Sequence, residues 1–243
     1  MTISHTSSQD RDDELATKRG GLTGKMLKSA VERALRIQQP AVASYVAKIR
    51  RDQPSASPAE VIATLDKLYL RAVGGTGAVA GGTAFIPGVG TVASLATATV
   101  EALAALDASV LYTLAVAEVH GLHIEDVERR RAVVLAIVLG DGGGKLMRKV
   151  TGGTGQWAGE VAEMVPLPKL GPVNQTLVRW FLRRWLTRQG ALAFGRALPF
   201  GAGAVIGAVG NVAVAKGVIR STVDAFGPPP AEWPATAPAA LEK

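Results

Sequence analysis

Two apolar stretches of this chain follow one pattern. The first runs without charge from Ala72 to Val100 and is interrupted by Phe85-Ile86-Pro87-Gly88-Val89-Gly90. The second runs without charge from Ala197 to Ala215 and opens with Leu198-Pro199-Phe200-Gly201-Ala202-Gly203. Both lengths approach the ~20 apolar residues of a membrane-crossing helix. Both are rich in Gly and Ala, which let helix backbones approach closely. Pro and Gly interrupt each stretch, so the pattern predicts two helical hairpins within an all-α protein. Their likeness is either an internal repeat or a coincidence between Gly/Ala-rich segments. Gly77 and Gly81 form a G-x-x-x-G pair in the first, and Gly203 and Gly207 form one in the second. These four are the expected helix-packing positions.

The remaining elements follow from helical spacing. Met26, Leu27, Ala30, Ala34 and Ile37 predict a basic amphipathic helix over 22–37. Pro40 ends or kinks it, and a second helix runs over 41–51. Ser57, Pro58 and Glu60 mark a capped helix start, followed by Val61, Leu65, Leu68 and Tyr69. A long helix over 91–120 carries Leu95, Leu103, Leu106, Val110 and Leu114, with Gly121 as its C-terminal cap. The next begins near Glu125 and carries Arg129, Arg130 and Arg131, then Val133 to Leu139. Glycines at 140–144 and 152–155 bracket a short section expected to be flexible. Pro166, Pro168, Gly171 and Pro172 predict a loop, followed by a helix over 173–189. The second glycine stretch continues helically to about Phe226. The domain expectation is one helical bundle over 21–227, a single all-α domain, with disordered tails at 1–20 and 228–243.

Composition narrows this picture. Apolar residues make up 48% of the chain but aromatics only 5%, so the core must be built from Ala, Val, Leu and Gly. The net charge of +7 suits an anionic partner, lipid head groups or nucleic acid. The absence of cysteine excludes disulfides, thiolate catalysis and cysteine metal sites. The first eighteen residues are polar and lack the apolar core of a secretory signal, so a cytoplasmic origin is the expectation.

Few residues suggest chemistry. A phosphate-binding loop needs G-x-x-x-x-G-K followed by Ser or Thr. Gly144-Lys145 is followed by Leu146, with Leu139 at the earlier glycine position; Gly24-Lys25 is followed by Met26, with Arg19 there. No nucleotide is expected. His120 and His123 lie near Glu118, Glu125 and Asp126, which are suitable ligand types. Gly121 separates the two histidines, however, and the acids suit the N-terminus of the next helix. No metal and no cofactor are expected. Glu101 and Asp107 are the only charges between Ala72 and Ala117. They are the buried-acid candidates, costly in an apolar helix unless paired or solvated. No Ser/His/Asp set stands out, so catalytic residues are not assigned.

The sharpest surface signal is Leu177 to Arg188. Leu177, Phe181, Leu182 and Trp185 can share an apolar sector, flanked by Arg179, Arg183, Arg184 and Arg188. Tryptophan and arginine suit a bilayer interface, and these residues, with Trp180, are the membrane-contact candidates. The alternative is a bundle helix with a solvated basic face. No nucleic-acid recognition fold accompanies the basic residues.

The run Ala115-Val116-Ala117-Glu118-Val119-His120-Gly121-Leu122-His123-Ile124-Glu125-Asp126, then Arg129-Arg130-Arg131 and Leu135 to Gly140, resembles the EcsC family. So does Leu198-Pro199-Phe200-Gly201 through Gly210-Asn211. The resemblance covers about 65–226. Glu101 stands where some members carry an acid, whereas Leu111 stands where some carry an arginine that would be its partner. The family has no known biochemical role; membrane association is its usual expectation, and no enzyme class follows. The expected function is therefore a non-enzymatic, membrane-associated helical protein on the cytoplasmic face of the cell membrane. It would bind anionic lipid, a protein partner or both, in an accessory or scaffold role near the envelope. The alternative is a soluble, cytoplasmic all-α protein whose Gly/Ala-packed core binds a partner or apolar ligand.

Overall fold

A computed structural model describes Ser29, Glu32 and residues 39–82, 91–153, 155–196 and 202–235. Every regular element among the described residues is a helix: α1 (Gln39–Asp52), α2 (Pro58–Gly82), α3 (Thr91–Val119), α4 (Val127–Leu139), α5 (Asp141–Thr151), α6 (Trp157–Glu163), α7 (Leu167–Arg196) and α8 (Ala202–Phe226). The expected tail over 1–20 lies outside the described residues. So do the breaks at 83–90 and 197–201, and the expected helix over 22–37 apart from Ser29 and Glu32.

Helix starts follow local chemistry. Ser57 and Glu60 close a capping box on α2: the Ser57 amide donates to Glu60 Oε2 at 2.8 Å and the Glu60 amide to Ser57 Oγ at 3.4 Å. The Ser57 amide, then its hydroxyl, holds the Glu60 carboxyl below the usual range. Asp126 caps α4, its Oδ1 accepting from the amides of Glu128 and Arg129 at 2.9 Å. α3 ends at Gly121, whose φ of 75° lies in the left-handed region open to glycine. The Leu122 amide then returns to the Ala117 carbonyl at 2.9 Å, closing the helix in the manner of a Schellman turn.

The lower half of α3 is central: residues 112–119 are all buried. Val61, Leu65, Tyr69 and Val73 form the buried stripe of α2, one helical turn apart. α2 packs along α3 and along α8, while α4 is covered by α7 on one side and by α5, α6 and α8 elsewhere. The second hairpin differs from the expectation in degree. α8 packs chiefly on α2 and only lightly on its neighbour α7.

Three local expectations are corrected. The glycine-bracketed section is the helix α5, because Gly143 is where α5 crosses α4. A Cβ on Gly143 would lie 2.6 Å from the Ala136 Cα and 2.7 Å from its carbonyl carbon. Gly143 serves close approach between helices rather than chain freedom. The loop expected at 166–172 is the first turn and a half of α7. Pro168 sits where a helix has no N–H partner to lose. Pro172 removes the bond to the Pro168 carbonyl alone, and buried Leu170, Asn174 and Leu177 hold that turn against the core. Lastly, residues 228–235 are not a free tail. Trp233 Nε1 donates to the Ala56 carbonyl at 3.2 Å, its ring lies 3.9 Å from the Arg50 guanidinium, and Pro234 packs on Gly121. The segment straps the α1–α2 corner to the end of α3. Residues 236–243 lie outside the described residues.

Candidate functional site

α7 contains Lys169, Arg179, Arg183, Arg184, Arg188 and Arg196 and no acidic residue. Its orientation is fixed near its start. Asn174 is buried, and its amide donates to the Glu128 carbonyl at 2.9 Å and to Glu128 Oε2 at 2.7 Å. Glu128 also takes Arg131 at 2.7 Å. With Asn174 and Leu177 inward, helical geometry turns Arg179, Trp180 and Arg183 outward. All three are exposed, as is Arg184, and Trp180 is 41% exposed. Arg179 donates to the Thr176 hydroxyl at 3.2 Å. Among the described residues no acid pairs with Arg179, Arg183 or Arg184.

The apolar sector expected on this helix is divided. Leu177 is fully buried and Phe181 packs half-buried against the core. Both belong to the bundle, because the sector faces α4 over this length. The exposed face is instead arginine with a single tryptophan. Trp185 and Arg188 lie further along α7, where the described residues do not reach their surroundings.

The other candidates fall elsewhere. Glu101 lies on α3 at a position whose surroundings are not described; Asp107, on the same helix, is exposed. Gly77 and Gly81 lie on α2, Gly203 and Gly207 on α8, the two helices that pack on one another. The contact is described at Gly74, where a Cβ would sit 3.6 Å from Val212. The three consecutive arginines of α4 are structural. Arg129 donates to the Val161 carbonyl at 2.8 Å, Arg130 is buried and donates to the carbonyls of Ile124 and Glu125, and Arg131 pairs with Glu128. Burial pulls the Arg130 pKa down and Asp126 opposes the shift. His120 stacks on Phe226 with centroids 5.5 Å apart, whereas His123 lies 3.4 Å from Glu118. The described residues hold no group of three or more metal-ligating side chains.

One polar cluster escaped sequence reasoning. Between α2 and α3 the rings of Tyr69 and Tyr112 stack at 4.5 Å. Tyr112 donates to Asp66 at 2.6 Å, and Tyr69 meets Ser109 at 2.7 Å. Ser109 gives its proton to the Ala105 carbonyl at 2.7 Å, so Tyr69 is the donor to Ser109. Burial raises both phenol pKa values, and Asp66 raises that of Tyr112 further. The signal was present as two polar pairs at i, i+3, Asp66/Tyr69 and Ser109/Tyr112. The cluster is a closed structural network rather than an open site.

No helix among the described residues is long and apolar enough to cross a membrane. The chain matches no protein-family model, and no curated protein or solved structure is similar to it.

Proposed function

We propose that this is a non-enzymatic helical protein that docks on an anionic lipid surface, in keeping with its resemblance to the EcsC family and with an accessory or scaffold role on the cytoplasmic face of the envelope. The observation that carries the reading is the exposed, acid-free face of Arg179, Trp180, Arg183 and Arg184. Each such cation contributes ~1 kcal/mol close to an anionic surface, and the indole suits head-group depth. Sedimentation with vesicles tests it. Anionic vesicles should bind the protein more tightly than neutral ones, and salt should narrow the difference because exposed charges are screened. Arg183→Gln with Arg184→Gln should remove much of that preference while the circular dichroism and melting stay unchanged. Equal affinity for both vesicle types, unaltered by the double substitution, refutes the reading.

The second reading is a soluble protein whose glycine-lined α2–α8 contact is simply a close-packed core. The Gly74–Val212 contact favours it. It predicts no sedimentation with either vesicle.

A further inference from the structure

Large apolar side chains left in water gather at one corner of the bundle. Among the described residues five are exposed: Val127, Met164, Leu167, Trp180 and Val223. Scattered singly, such residues are ordinary. Here four of the five, all but Val223, belong to α7 or to chain joined to its first turns. Val127 opens α4, next to the Glu128 carbonyl that receives the Asn174 amide of α7. Met164 and Leu167 flank the turn from α6 into α7. Arg129 of α4 holds the last turn of α6 through the Val161 carbonyl. The starts of α4 and α7 and the end of α6 are thus tied together.

The turn is held so that its apolar residues stay outside. The amides of Met164 and Val165 both return to the Glu160 carbonyl, at 2.8 and 3.0 Å, and close α6. Val165 and Leu170 are buried and pin the chain on either side of Leu167. Met164, Pro166, Leu167 and Pro168 remain exposed. Met164, 69% exposed, stands out from the surface rather than lining a groove. Beyond the turn Pro168, Pro172, Arg179 and Arg183 recur at helical spacing and all are exposed, so one stripe runs down α7. From Leu167 to Arg183 it is ~24 Å long, with exposed Lys169 and Trp180 beside it. The corner also carries two exposed acids, Glu125 and Glu163. Attraction for an anionic surface therefore comes from the arginines further along α7, and apolar contact from the corner.

We propose, resting on the lipid-docking reading above, that α7 lies along the bilayer surface and that Met164 and Leu167 are its wedge, entering between the head groups. The occupant is lipid because the corner runs on, along one exposed stripe, into a basic face without any acid. A protruding apolar tip also needs a medium that closes round it, which lipid supplies. Trp180 lies ~20 Å along the helix from Leu167 and rests at head-group depth. The two contacts respond to different variables. The arginines sense lipid charge and salt; the wedge, driven by loss of apolar surface from water, senses neither.

Met164→Ser with Leu167→Ser tests this division of roles. Both residues are exposed, so circular dichroism and melting should not change. Phosphatidylcholine vesicles with a high and a low share of phosphatidylglycerol are the probe. The double variant should lose affinity for both by the same factor, ~tenfold or more, whereas Arg183→Gln with Arg184→Gln should chiefly weaken binding to the richer vesicles. The chain has no cysteine, so Met164→Cys and Leu167→Cys can each carry one environment-sensitive label. Lys67→Cys is the reference, exposed on α2, which packs along α3 and α8. With vesicles the first two labels should shift to the blue and be quenched by nitroxides near the top of the acyl chain, while the third stays accessible to aqueous iodide. If the protein sediments with its anionic preference but all three labels remain aqueous, or the serine variant binds like the native chain, lipid docking stands and the wedge is wrong. If it does not sediment, both are wrong. If the labels at 164 and 167 are already shielded without lipid and the mass in solution has doubled, a second copy covers the corner and the proposal is overturned.

Discussion

Gly142 and Gly143 are adjacent in the first turn of α5, yet alanine should have opposite effects at the two. At Gly142 nothing lies within 4 Å of an added Cβ, and the position is exposed. Alanine there removes backbone freedom from the unfolded chain and should stabilise by ~0.5 kcal/mol. At Gly143 the same methyl would press on the Ala136 backbone, at 2.6 Å from Cα and 2.7 Å from the carbonyl carbon. Helix backbone cannot rotate aside as a side chain can, and α4 is buried along 132–137. The whole crossing must open, which costs ~3 kcal/mol at the upper end of the overpacking range. Subtracting the ~0.5 kcal/mol propensity gain leaves a net loss of ~2.5 kcal/mol. For a chain of this size ~1 kcal/mol moves Tm by ~2–4 °C, so Gly143→Ala should melt ~5–10 °C lower and Gly142→Ala ~1–2 °C higher. Thermal melts followed by far-UV circular dichroism measure both. If Gly143→Ala melts with or above the native chain, α5 does not cross α4 at this glycine and the account of this segment fails.

Three further outcomes follow from the contacts. Trp233→Ala removes a carbonyl hydrogen bond worth ~1 kcal/mol and a cation–π contact worth ~0.5–1 kcal/mol; it should lower Tm by ~3–8 °C and open the chain after Gly227 to limited proteolysis, whereas an unchanged cleavage pattern would show the strap to be undocked. Tyr112→Phe leaves Asp66 without its 2.6 Å donor; because Asp66 is half-buried and can regain water, the loss in urea-determined stability should be ~1 kcal/mol. Burial lowers the His120 pKa, so the unfolded chain binds more protons near the ordinary value of ~6.5. Stability is therefore complete above that value and declines as pH falls through it towards the folded pKa. The urea midpoint of the native chain should drop between about pH 7.5 and 5.5, and His120→Gln should flatten that slope.

Local signals were the legible part of the fold. Ser57 with Glu60, Asp126 before α4, and Gly121 after α3 act within four residues of themselves, and the structure places a cap at each. What failed were the places where one residue type serves two purposes. Glycine in 140–144 reads as loosened chain when no neighbour is known; beside the Ala136 backbone it is the residue that permits contact. Proline at 166–172 reads as a loop when counted alone, but a helix tolerates Pro168 in its first turn and gives up one backbone bond at Pro172. Trp233 sits in a Pro/Ala-rich run, and its partners Arg50 and Ala56 are about 180 residues away. No periodicity reports such a contact.

The candidate site divides along the same line. That Arg179, Arg183, Arg184, Arg188 and Trp180 share a helix without acids was written in the sequence. Which side of that helix meets water was not, because Leu177, Phe181 and Trp180 are all apolar enough to be buried. The choice is made by Asn174, whose amide finds both the carbonyl and the carboxylate of Glu128. A buried amide without those partners would cost ~1–3 kcal/mol, so rotating α7 to bury Trp180 in place of Leu177 is opposed by that much at a single residue. The same rotation would carry Arg179 and Arg183 towards α4, whose own arginines are already committed to carbonyls and to Glu128. Like charges without an intervening acid repel, which adds a second barrier. Asn174 is thus the residue that keeps the basic face outward, and a lipid-facing role for α7 depends on it as much as on the arginines themselves.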